Sequence, residues 1–246
     1  MRRRTPRRIA SAIGLLALAC ASSPAKTIRF SGHDWTVKSG TRQGPGPNDW
    51  DENNVWVDQD GYLHLKLAKR GGRWYCSEVS TKERLGFGRY QFWVIGRLDR
   101  LDPNVVFGLF NYPPPDVGPD GTNEIDIEFA QWGKPKASIG NYTVWSTHEG
   151  LRRASKRFSV ELNGEYTTHR FIWNSNGVAF QSLNGHHDDD SGQFGNWQYR
   201  PQDPPRYIPQ EAIPVDINLW LFQGLPPRNG RQVELVVRSF MFTSAP

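Results

Sequence analysis

The sequence predicts an all-β domain, a sandwich or a barrel. Short strand-like runs recur along the chain, separated by Gly, Pro, Asn and Asp turn signals. Outside the N-terminal segment no long stretch holds the apolar period of about 3.6 residues that an amphipathic helix needs. No internal repeat is visible, and no linker divides the chain into two folded parts.

The first element is a leader, residues 1–25. Arg2, Arg3, Arg4, Arg7 and Arg8 form a basic start, and Ile9 to Ala19 is an apolar run too short to span a bilayer comfortably. Ala17-Leu18-Ala19 and Ser23-Pro24-Ala25 both fit a cleavage site. Cys20 follows small residues, where bacterial lipoproteins carry their lipid, although Ala17 stands where a branched residue is usual. Ordinary export and a lipid anchor at Cys20 both stay open. Either one puts the protein outside the cytoplasm: secreted, periplasmic or on the cell envelope.

Residues 26–246 are expected to fold as one domain, long enough for a substantial core. Tyr62 to Leu67 alternates cleanly after the Asp60-Gly61 turn, and Arg73 to Thr81 follows Gly71-Gly72. Gly88 to Ile95, Val105 to Phe110, Asn123 to Phe129 and Ala137 to Trp145 come next. Tyr166 to Trp173 and Val178 to Leu183 read as a hairpin across Asn174-Ser175-Asn176-Gly177. Val215 to Phe222 and Gln232 to Phe242 complete the series. The segments Asn111 to Thr122 and Asn184 to Pro214 read as long loops, and long loops in compact domains are often functional.

Charge narrows the function. The chain has 30 Lys and Arg against 25 Asp and Glu. Five of the arginines belong to the leader, so the remainder is neutral. That argues against nucleic acid as a partner, because such a binder keeps a basic excess in its folded part. If Cys20 is lost or lipidated, Cys76 is alone and reads as a small buried hydrophobe.

The strand Asn123 to Phe129 carries the chemistry. Alternate side chains of a strand share a face, so Glu124, Asp126 and Glu128 line up on one side. Ile125, Ile127 and Phe129 face the other side, towards a core. Three acids in a row repel one another and are poor strand formers. The Cα atoms of Glu124 and Glu128 would lie roughly 13 Å apart. Their side chains can lean together to about 5–6 Å, the spacing of a retaining glycosidase. A polar outer face is the plain alternative. A calcium site is a poorer one, since an unbroken strand cannot wrap an ion. The His186-His187-Asp188-Asp189-Asp190 run reads as a solvated loop rather than a metal site, and no cofactor is expected.

These residues resemble glycoside hydrolase family 16. The run Glu124-Ile125-Asp126-Ile127-Glu128 looks like the regular E-x-D-x-E form of its catalytic strand, as in bacterial endo-β-1,3-1,4-glucanases (lichenases). The likeness runs loosely from Trp56 to Phe242. It includes Cys76-Ser77-Glu78, Gly86 to Tyr90, Asn141-Tyr142, His169 to Trp173 and Asn218-Leu219-Trp220. The resemblance implies a two-sheet antiparallel β-sandwich, a jelly roll of the concanavalin A-like kind, with a concave substrate cleft. By the same resemblance Glu124 would be the nucleophile, Glu128 the acid/base, and Asp126 the residue that tunes both. Asn218 and Trp220 would contact the sugar beside the cleaved bond, and Glu78 one further along. Asn141 would contribute from the strand after the catalytic one. The chain departs from lichenases at Thr122-Asn123, where they have Trp-Asp, and at Ser80, where they have Arg. The subsites are therefore expected to differ.

Ten Trp residues suit a sugar ligand, because aromatic rings cover its C–H faces. Trp220 is the first choice of platform and Trp132 the second, then Tyr112, Trp74 and Trp197. Trp173 and Trp56 read as core, and His169 as structural. The expected partner is a polysaccharide, probed by a monomer. A transglycosylase on the same site and a non-catalytic glycan-binding protein remain alternatives.

Overall fold

A computed structural model describes residues 25–245. Its strands are β1 (Thr27–Phe30), β2 (His33–Val37), β3 (Gly40–Gln43), β4 (Asn48–Trp50), β5 (Val55–Val57) and β6 (Leu63–Arg70). Next come β7 (Arg73–Tyr75), β8 (Ser77–Thr81), β9 (Gly88–Ile95), β10 (Val105–Asn111), β11 (Ile125–Ala130) and β12 (Gly140–Val144). The last are β13 (Ala154–Phe158), β14 (Tyr166–Asn174), β15 (Gly177–Asn184), β16 (Gln193–Tyr199), β17 (Val215–Leu221) and β18 (Val233–Ser244). The expected leader and Cys20 lie outside the described residues.

Two antiparallel sheets face each other across one core. The front sheet runs β1-β2-β8-β17-β10-β11-β12-β13, and the back sheet runs β16-β15-β14-β9-β18-β6-β5, with β7 paired to β6. This is the jelly-roll sandwich expected from the sequence. Alternation decides which side chains meet between the sheets. Ile125, Ile127 and Phe129 of β11 are fully buried. Phe129 lies 4.7 Å from the His169 ring of β14, and Tyr142 of β12 stacks on Phe180 of β15 at 4.8 Å. Each buried aromatic of this kind stabilises the fold by roughly 1.5–3 kcal/mol. His169 is held by Ser182 and Thr167 at 2.9 and 2.8 Å, and burial pushes its pKa down to about 3. It is a structural residue.

Four features differ from the sequence expectation. Arg73 to Thr81 is not one strand: it breaks at Cys76, where the chain leaves the back sheet (β7) and enters the front sheet (β8). The segment from Asn184 to Pro214 is not a plain loop, because β16 pairs with β15 there. The five strands before Leu63, together with β13, are too short or too polar for a period to show. The His186–Asp190 segment keeps its acids exposed, as expected, but is also anchored, a contact the sequence did not show: buried Arg170 donates to the Asp189 carbonyl at 2.9 Å and pairs with Asp190.

Candidate active site

The outward face of the front sheet carries a cleft of about 600 Å³. Register builds its floor from strands far apart in sequence. One row across the sheet reads Ser80, Asp216, Phe110, Asp126, Thr143 and Ser155. The next reads Glu78, Asn218, Gly108, Glu128, Asn141 and Arg157. Glu124 lies just before β11, and its carbonyl still accepts from the Trp145 N–H at 2.8 Å. All three acids of the E-x-D-x-E run therefore line one cleft with Glu78, Asn218, Trp220, Asn141 and Trp132.

Gly108 is what leaves Glu128 and Asn218 facing each other. A Cβ there would come within 2.6 Å of Asn218 Oδ1. Just before Glu124, Asn123 turns the chain into β11 with a left-handed φ of 52°, a conformation Asn accepts better than most residues. Its side chain donates to Thr122 Oγ1 at 3.1 Å, so the Thr122-Asn123 departure acts as a turn lock rather than as cleft surface.

Burial governs the acids. Asp126 is 2% exposed, while Glu124 and Glu128 keep part of their surface open to the cleft. Asp126 Oδ2 accepts from the Trp145 indole at 2.8 Å, and Oδ1 is buried without a donor. A proton shared with Glu124 supplies that donor, since two ionised carboxylates cannot bond each other. Loss of hydration pushes Asp126 up to about 7, against the pull of Glu124, Trp145 and Arg153. It also raises Glu124 and Glu128 well above the ordinary range, with the Asp126 charge adding to both. Arg153 opposes the rise at Glu128 and stacks on the Trp145 ring at 4.4 Å. The three carboxyls are thus a coupled cluster that keeps protons near neutral pH.

The arm of the cleft beside β17 is polar and tightly bonded. Glu78 Oε1 pairs with Lys38 Nζ at 2.7 Å, and its Oε2 accepts from Asn218 at 3.1 Å. Lys38 follows β2, and its N–H donates to the Glu78 carbonyl at 3.0 Å. A cation thus reaches Glu78 from the neighbouring strand, while Ser80 stands opposite Asp216 in register. Burial and the Glu78 charge hold Asp216 well above the usual carboxylate range.

Aromatic side chains close one end. Trp132 lies 6.3 Å from Trp220 and 5.6 Å edge-on from Phe222. Its indole donates to Asn141 Oδ1 at 3.1 Å, while the Asn141 amide is spent on the Ile139 and Ala130 carbonyls at 2.8 and 3.0 Å. Asn141 therefore fixes Trp132. Trp220 is only 7% exposed, yet its buried Nε1 has no partner, and neither has Asn218 Oδ1. Two unmet polar atoms thus lie in one cleft, where ligand hydroxyls would meet them.

Tyr112 lines the cleft, and its hydroxyl donates to Asp120 at 3.0 Å. Trp74 and Trp197 do not line it: Trp74 sits on β7, and Trp197 stacks on Phe180 and Tyr199 at the back-sheet edge. Trp56 is half-buried and stacks on His64 at 4.7 Å. Lys38, Trp145, Arg153, Arg157 and Asp216 were not expected. Only Trp145, the last residue of the strand-like run from Ala137, carried any signal.

No family model and no curated protein matches this sequence. Solved structures do match. A Bacillus licheniformis β-glucanase superposes with a TM-score of 0.62 at 21% identity, over 86% of this chain and 92% of that one. A Bacteroides ovatus mixed-linkage glucan GH16 protein, in complex with product, gives 0.65 at 14% identity over 85% and 94%. A Mycobacterium tuberculosis protein described as an immunostimulatory antigen and pseudo β-1,3-glucanase gives 0.66 at 20% identity over 86% and 91%. The chain thus has the fold of the family 16 β-glucanases that it resembles, over most of its length.

Proposed function

We propose that the protein is an exported, retaining, endo-acting β-glycan hydrolase. The observation that carries this reading is the row of Glu124, Asp126 and Glu128 on the floor of an open cleft, with raised pKa values. A retaining enzyme needs one ionised carboxylate to attack the sugar carbon and one protonated carboxyl to release the leaving oxygen. A cluster that cannot ionise fully supplies both states at once. Glu124 attacks, and Glu128 gives its proton to the leaving oxygen and then takes one from water. Asp126 accepts the proton that Glu124 must shed before attack, while Trp145 holds it in place. Trp132, Trp220 and Phe222 offer ring surface to the bound sugar, and Asn218 and Glu78 offer hydrogen bonds. The chemistry calls for no cofactor.

Reducing-sugar release by protein lacking residues 1–25 tests this across β-glucans and galactans, with Glu128→Gln alongside. Release by the wild type alone is expected. Glu124→Ala should lose turnover and regain it with azide, giving a product of inverted configuration. Retained activity in Glu124→Ala would refute the nucleophile assignment. Silence across the panel with glycan binding intact would favour a binding protein.

A further inference from the structure

The two arms of the cleft differ in charge. Beside β17 lie Glu78 and Asp216, with Lys38 already paired to Glu78. Beyond β11, the cleft-lining residues of β12, of β13 and of the segment between them include Arg153 and Arg157 and no acid. Both arginines are exposed. Among the described residues neither makes an ion pair or a side-chain hydrogen bond, and Arg153 has only the Trp145 ring beneath it.

Arg153 has a visible task, since it draws Asp126 and Glu128 downward. Arg157 does not share it. Arg157 stands two strands from Glu128 in register, and only Arg153 of the two is among the charges that shift the acids. Neutralising the carboxylates therefore accounts for one arginine and leaves the other, with the open fork of a guanidinium facing the path of a bound chain. A neutral glycan would leave that charge unused.

We propose that sugars bound on the β13 side of the cleavage point carry an anionic substituent, a carboxylate or a sulfate, read by Arg157 with Arg153 beside it. The inference rests on the hydrolase reading for its substrate, but its test does not require turnover. Ser155 lies between the two arginines on the same face of β13 and can donate to the same anion.

Affinity electrophoresis of Glu124→Gln protein lacking residues 1–25 measures binding alone. The probes are one β-glucan unmodified, carboxymethylated and sulfated. Retardation by an anionic polymer should exceed that by the neutral one at low salt by up to about fivefold, the range of one exposed charge pair. The preferred polymer separates carboxylate from sulfate. Adding Arg157→Ala should bring the ratio towards one, and Arg157→Lys should restore part of it. Equal retardation by all three polymers, or an unchanged ratio in Arg157→Ala, would overturn the proposal. Anion preference without any turnover by the wild type would instead remove the hydrolase reading and leave an anionic-glycan binder.

Discussion

Asp126→Asn should make the protein more stable above neutral pH, although it removes a side chain from the heart of the site. In the wild type the Asp126 carboxyl is raised from 3.8 to about 7 because it is buried. The folded state therefore holds this proton more tightly than the unfolded state does. Its contribution to stability is fully present below pH 3.8 and is lost as pH rises through about 7. At 1.36 kcal/mol per pH unit the full loss is about 4 kcal/mol. Coupling to Glu124 and Glu128 spreads the titration, so roughly 2–4 kcal/mol should be measurable at Asp126. Asn cannot ionise and suffers no such loss. It can still accept the Trp145 indole through its oxygen and donate to Glu124 through its amide.

Urea unfolding at pH 5, 6, 7 and 8 measures the difference, with a constant m-value as the control. The stability of the variant relative to wild type should rise across that range. Its residual kcat/KM should also lose its alkaline limb earlier. Glu128 has one negative neighbour fewer, so its carboxyl gives up its proton at lower pH. A constant offset between the two proteins from pH 5 to 8 would refute the reasoning. It would mean that the Asp126 carboxylate is fully accommodated at neutral pH.

Gly108→Ala should lower kcat/KM by about 10²-fold, the usual cost of a small misplacement, because the new Cβ displaces Asn218. Steady-state kinetics beside a thermal melt will separate this from unfolding. Trp220→Ala should cost roughly 3–5 kcal/mol of stability, since the ring is 7% exposed and belongs to the core. Trp220→Phe is therefore the better probe, and calorimetric titration with oligosaccharide should show weaker binding at near-normal stability. In protein lacking residues 1–25, Cys76 should ignore a thiol reagent until denaturant is added. It is buried, and its pKa is pushed up to about 12.

The acid row was legible because it sits on one strand. Glu124, Asp126 and Glu128 alternate with Ile125, Ile127 and Phe129, and a strand turns alternation into two faces. The hairpin at Asn174 to Gly177 was legible for the same local reason: turn residues flank two apolar runs, and Asn174 pairs with Gly177. Strand β13 was not legible. Its sequence, Ala154-Ser155-Lys156-Arg157-Phe158, buries almost nothing, so no apolar period marks it. Only pairing with β12 defines it as a strand.

The same physics explains why the charges of the cleft were missed. A sheet places residues together by register, and register across β2, β8 and β17 joins Lys38, Glu78 and Asn218 over a long stretch of sequence. The missing Arg at Ser80 signalled that this subsite had changed, but not where the replacement cation would come from. It comes from the strand on the other side, because a cation beside Glu78 need only be near it in space. Arg153 stands in the same relation to Asp126 through Trp145. Whatever tunes this acid row is therefore spread over strands whose own sequences carry no sign of it. Transplanting the E-x-D-x-E strand alone would carry the carboxylates and leave behind the groups that set their protons.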